Sequence, residues 1–131
     1  AKAAMSRGDL ELIMVGGAVD AEVGGCIDAT AIQAVAAMNI DRCFLGACAL
    51  SAKAGLGAIH HGDALFKRAV LSVSQICIAM ITNEKLISKA PYRIAMAKHL
   101  NQVILEWDAP TAVLNELQGS EIPFLLAKAS T

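Results

Sequence analysis

Short apolar runs that stop at glycine or polar residues, each separated from the next by a longer stretch, constrain this chain more than any other feature. The runs are "LELIMVGG", "DRCFLGA", "QICIAMI", "NQVILEW" and "EIPFLLA". Each is too short for a stable helix and has the length of a buried strand. Between them lie helical patterns. "DATAIQAVAAMN" puts Ile32, Val35 and Ala36 on one face, and Thr30 with Gln33 has capping-box spacing. "HGDALFKRAVLSVS" has a predicted core face of Phe66, Ala69, Val70 and Val73. "DAPTAVLNELQG" starts near Asp108 and Pro110 and ends at Gly119. "AVDAEVGGCI" reads as a turn and a strand, and "SAKAGLGAI" as a loop. "TNEKLISKAPYRIAM" reads as irregular, because Pro91 opposes a long helix. The N-terminal "AKAAMSRGD" reads as the end of a helix closed near Gly8. Strands alternating with helices predict an α/β, Rossmann-like fold: a mainly parallel sheet with helices on both faces.

Ligands of such sheets sit beyond the carboxyl ends of the strands. That rule selects the residues after Val15, after Leu45 and after Ile81.

Charge excludes one class of partner. The 11 basic and 12 acidic residues are spread along the chain, giving a net charge of −1. Phosphate contacts to nucleic acid call for a basic stripe, so direct binding of DNA or RNA is not expected. No signal peptide and no apolar run of membrane-spanning length is visible, which predicts a cytoplasmic protein without membrane contact. Cys26, Cys43, Cys48 and Cys77 form no CxxC and read as reduced thiols. The opening helix tail and a mean hydropathy of +0.53 predict a fragment of a longer protein, or a tight homo-oligomer.

Few residues could carry chemistry. Gly16 and Gly17 follow the first run, where glycines bend the backbone and expose N–H groups to a phosphate. Gly46, Ala47 and Cys48 follow the next, and small side chains there leave room for a ligand. Nothing in the sequence activates Cys48 as a nucleophile. His60 and His61 are adjacent and point to different faces, and His99 has no partner at metal spacing, so no metal is expected. Asp63 and Lys67 are four apart, acid first, which is ordinary spacing for a surface ion pair. Their position past the Gly46 loop gives the alternative: a carboxylate for sugar hydroxyls and a lysine for a phosphate. Lys85, after the third run, is a second cation in the same layer. No nucleophile elbow, Walker A, GxGxxG or paired carboxylates are present.

Taken in order, "LELIMVGG", "IDRCFLGA" and "GLGAIHHGDALFKRA" resemble the C-terminal effector domain of DeoR-type transcriptional repressors, from about residue 10 to 127. The resemblance implies a fold similar to ribose-5-phosphate isomerase and glucosamine-6-phosphate deaminase. It implies a sensor of a phosphorylated sugar, with no catalytic residues and no cofactor, coupled to a winged helix-turn-helix that contacts DNA. Gly16 and Gly17 would line the phosphate side, Gly46, Ala47 and Cys48 the sugar, and Asp63, Lys67 and Lys85 would supply polar contacts. The family's first strand with its phosphate loop, and its DNA-binding domain, are expected upstream of this chain, making residues 1–131 one effector domain. Three departures stand out: Cys48-Ala49 replaces the usual Asp-Gly, Gly57-Ala58 the usual Thr-Thr, and Thr82 the usual Asp. Two other readings are an isomerase- or deaminase-like enzyme, with Asp63 as base, and an oligomerisation module with an inert pocket.

Overall fold

A computed structural model describes residues 2–129 of the chain. A short helix α1 (Lys2–Met5) leads into an irregular segment and a two-residue hairpin, β1 (Val19–Asp20) and β2 (Gly25–Cys26). Helix α2 (Ala29–Ala36) then feeds β3 (Ile40–Leu45). A hairpin, β4 (Ala49–Ser51) and β5 (Gly55–Ala58), separates β3 from helix α3 (His61–Ser72). Strand β6 (Ser74–Ile81), the single turn α4 (Asn83–Leu86) and β7 (Tyr92–Ala95) follow. The chain continues with a 3₁₀ turn (Ala97–His99), β8 (Gln102–Leu105), α5 (Thr111–Gly119) and β9 (Phe124–Leu126).

The main sheet is fully parallel, in the order β3-β6-β8-β9. This is the Rossmann-like α/β arrangement that the strand–helix alternation predicts. Both β3–α3–β6 and β8–α5–β9 step in the same direction across the sheet. Right-handed crossovers then place α3 and α5 on one face. Cys43, Leu45, Cys77, Ala79, Ile81, Val103 and Leu105 point to that face and form the core with Ala64 of α3 and Leu117 of α5. On the other face Phe44, Met80 and Leu125 are 57%, 47% and 57% exposed. The expected helical cover is therefore met on one face among the described residues.

Three local expectations are corrected. Residues 10–15, read as a buried strand, pair with no described strand, and Leu10, Leu12, Ile13 and Met14 are exposed. An apolar run becomes a strand only where an open edge takes its hydrogen bonds. The stretch read as the loop "SAKAGLGAI" instead holds β4 and β5. With β7, from the stretch read as irregular, they form an antiparallel sheet in the order β4-β5-β7. The sequence shows no period-2 pattern there, yet Leu50 and Leu56 face each other in register and both are fully buried. Tertiary packing outweighs the weak strand propensity of a glycine-rich segment.

Helix α3 is also turned relative to its predicted face. Asp63 and Ala64 are its buried residues, with Val70 and Leu71 against the core, while Phe66, Ala69 and Val73 are only partly buried. An acid is a poor guess for a core position unless a partner neutralises it, and Lys67 does so. Helix α2 is capped by Asp28, whose side chain accepts from the Ala31 amide, so Thr30 lies inside the helix. Helix α5 starts and stops at the predicted proline and glycine.

Candidate functional site

Strands β3, β6 and β8 run parallel, so the segments after Leu45, Ile81 and Leu105 emerge at one end of the sheet. Helices in such a layer run back against the strands. The first turns of α2 and α3 therefore lie at that same end.

Asp28 organises the first part of this end. Its Oδ2 accepts from the Ala18 amide and its Oδ1 from the Ala31 amide, each at 3.0 Å. One carboxylate thus caps α2 and ties down the glycine turn. These hydrogen bonds, the Ala18 one foremost, hold the Asp28 carboxyl below the ordinary range. Gly16 and Gly17 have φ of +76° and +106°. A Cβ on Gly17 would collide with the Asp28 carboxylate, whereas one on Gly16 would meet open space. Gly17 is therefore required by the turn, and Gly16 leaves its backbone exposed.

The second part is the ion pair of α3. Lys67 Nζ lies 2.7 Å from Asp63 Oδ2, with the two side chains 18% and 8% exposed. Asp63 sits in the helix's first turn, where the macrodipole favours a negative charge. Nearby, His60 Nδ1 approaches Glu22 Oε2 at 3.3 Å, and the His61 ring packs on Tyr92 at 5.1 Å. The two histidines point to different partners, as neighbours on a backbone should. No group of three or more His, Cys, Asp or Glu among the described residues is placed to hold a metal.

The third part lies beyond β3 and β6. Gly46 is exposed, Ala47 and Cys48 are half-buried, and the Cys48 amide donates to the Gly57 carbonyl at 2.9 Å. Lys85 Nζ pairs with Glu84 Oε1 at 3.0 Å on the half-exposed turn α4. Asn83, Glu106 and Asp108 also lie here and were not among the predicted site residues. The Asn83 backbone amide donates to Glu106 Oε2 at 2.5 Å and its Nδ2 to Asp108 Oδ1 at 2.9 Å. Asn83 Oδ1 is buried without a hydrogen-bond partner among the described residues. Extending the carboxyl-end rule from Ile81 to Leu105 finds Glu106 and Asp108 at once.

The structure brings Asp63 and Lys67 into contact and places Gly16 and Gly17 on the α2 cap. Among the described residues, no hydrogen bond or ion pair joins those groups to Lys85. A cavity of about 470 Å³ lies between the β4–β5 hairpin and residues 86–91. Its wall begins one residue past Cys48 on one side and one residue past Lys85 on the other, and none of the eight predicted site residues lines it.

The four cysteines are free, and Cys43 and Cys77 are buried register partners on β3 and β6. Burial first, then the Cys43 thiol, pushes the Cys77 thiol up to about 11. No described helix is long and apolar enough to cross a membrane.

Residues 1–106 match the family model of the DeoR C terminal sensor domain. No curated protein matches the chain.

Proposed function

Because the chain belongs to the family of DeoR C-terminal sensor domains, we propose that it senses a phosphorylated sugar. Through that ligand it would control DNA binding by a helix-turn-helix domain of the same regulator, in the cytoplasm and as a homo-oligomer. The observation that carries this reading is the Asp63–Lys67 pair, held at 2.7 Å and largely buried where α3 meets the carboxyl end of the sheet. A pair worth little on a surface becomes a precise recognition element when it is desolvated. Lys67 supplies a point charge for the phosphate, and Asp63 orients that charge and accepts a sugar hydroxyl. In this reading Gly16, Gly17, Gly46, Ala47 and Cys48 would line the ligand, and Lys85 would add a second cation.

Sensor domains of this family are regulatory, so the pocket is read as binding without turnover. Such a ligand acts by preferring one arrangement of the regulator over another, which shifts the population toward the state that leaves DNA. The test is thermal unfolding against a panel of phosphorylated sugars. A true effector at about 100 times its Kd adds about 2.7 kcal/mol, which moves Tm by several degrees in the native protein and not in Lys67→Ala. If no phosphorylated sugar moves Tm in either protein, the role assigned to Asp63 and Lys67 is wrong. Formation of an isomerised or deaminated product would instead establish an enzyme.

A further inference from the structure

The cavity between the β4–β5 hairpin and residues 86–91 has its own chemistry. Its floor is Leu50, Gly55 and Gly57, all buried, and Ile87 and Pro91 stand on the opposite wall. Lys89 and Arg93 are its charged lining residues, and no carboxylate lines it. We propose that this cavity is a binding site, separate from the Asp63–Lys67 pair, for a small organic anion with an apolar body.

Four features carry the assignment. First, the volume of about 470 Å³ lies within the range of small-molecule pockets. Second, the cations are available. Lys89 has no ion-pair or hydrogen-bond partner among the described residues. Arg93 uses Nε to donate to the Ala54 carbonyl at 3.1 Å, which pins its guanidinium across the hairpin turn and leaves its terminal N–H groups free. Its own carbonyl is held in turn by the Arg68 side chain of α3, so β7 carries the arginine on a fixed backbone.

Third, the wall is poor in acceptors. Side-chain oxygen comes from Ser51 and Ser88 alone, and both are engaged with nearby backbone. A polyhydroxylated body would find few side-chain acceptors for its hydroxyl protons, whereas an apolar one packs against Leu50 and Pro91. Fourth, the space exists because of a particular residue. A Cβ on Gly57 would lie 2.9 Å from Ala90 Cβ, so the wall keeps its present shape only with glycine there.

The test uses the whole 131-residue chain and two probes, phenyl phosphate and inorganic phosphate, followed by backbone amide shifts. Phenyl phosphate should shift the amides of Ser51, Gly57 and Lys89 saturably. Inorganic phosphate should bind at least about tenfold more weakly, having no body to bury. Lys89→Ala, at an exposed position that folding does not need, should weaken phenyl phosphate about tenfold. Gly57→Val should abolish the shifts while the rest of the spectrum stays dispersed, and Lys67→Ala should bind like the native chain. The proposal is overturned if phenyl phosphate produces no saturable shift. It is equally overturned if inorganic phosphate binds as well, or if Lys67→Ala loses the probe. The last outcome would assign the anion to the Asp63–Lys67 pair.

Discussion

Replacing Gly55 with alanine tests how the second sheet holds the cavity. Gly55 has φ of +83°, in the left-handed region. An L-residue there costs about 1–2 kcal/mol, partly offset by about 0.4–1 kcal/mol of lost unfolded-state freedom. Conformation alone therefore predicts a loss of about 0–1.6 kcal/mol. The surroundings add to this. A Cβ on Gly55 would overlap the Ala95 carbonyl oxygen and sit 3.0 Å from Met96 Cα, both backbone atoms that cannot rotate away. The strands would have to part, and the pairing of Leu56 with Ala95 lies next to the collision. Leu56 is fully buried, and partial loss of its packing adds about 1–3 kcal/mol. Gly55→Ala should thus lose about 1–4.6 kcal/mol, that is about 1–3 kcal/mol more than conformation alone. Gly24→Ala is the matched control, with φ of +73° and nothing within 4 Å. It should lose no more than about 1.6 kcal/mol. Urea unfolding of both variants reads the difference, provided the slope against denaturant is unchanged. Equal losses in the two variants would refute the reasoning, because they would mean that the β5–β7 contact carries no energy.

Asp63→Ala should lose about 2–4 kcal/mol in urea unfolding, since it leaves the Lys67 ammonium largely buried and unpaired. The double variant Asp63→Leu with Lys67→Met should recover most of that loss, and failure to recover would show that the pair does more than neutralise itself. Leu117→Ala, at a fully buried site of α5, should cost about 2–5 kcal/mol. Phe44→Ala, on the open face of the sheet, should cost less than about 1 kcal/mol by the same assay. Asp28 has a folded pKa below its unfolded value, so its contribution is present above pH ~4 and lost as pH falls through the folded value. Asp28→Asn keeps a capping side chain but removes the titration, and should flatten the acid limb of a stability–pH curve. Cys77 should resist iodoacetamide at pH 8 until the chain unfolds, as peptide mass mapping would show.

The main sheet was legible because its strands are continuous apolar runs, buried against helices that carry their own stop signals. "QICIAMI" became β6, and Pro110 and Gly119 bound α5. The antiparallel sheet was not legible, and for a physical reason. Its strands are made of small residues whose places are fixed by close backbone approach, at Gly55 against Ala95 and Gly57 against Ala90. Periodicity cannot report a contact in which side chains are missing. The same blindness applied to the site. Asp63 and Lys67 were found from their spacing, but spacing equally describes a solvated pair, and only the turn of α3 that buries Asp63 separates the two. Residues 10–15 show the opposite failure, a strand signal without an edge to receive it. A local pattern states what a segment can do. Whether it does so depends on the partner, and the partner of a glycine wall or an orphan strand is written elsewhere in the chain, or in another molecule. The buried glycine wall at Gly57 and the exposed sheet surface at Phe44 are therefore where further experiments gain most over sequence.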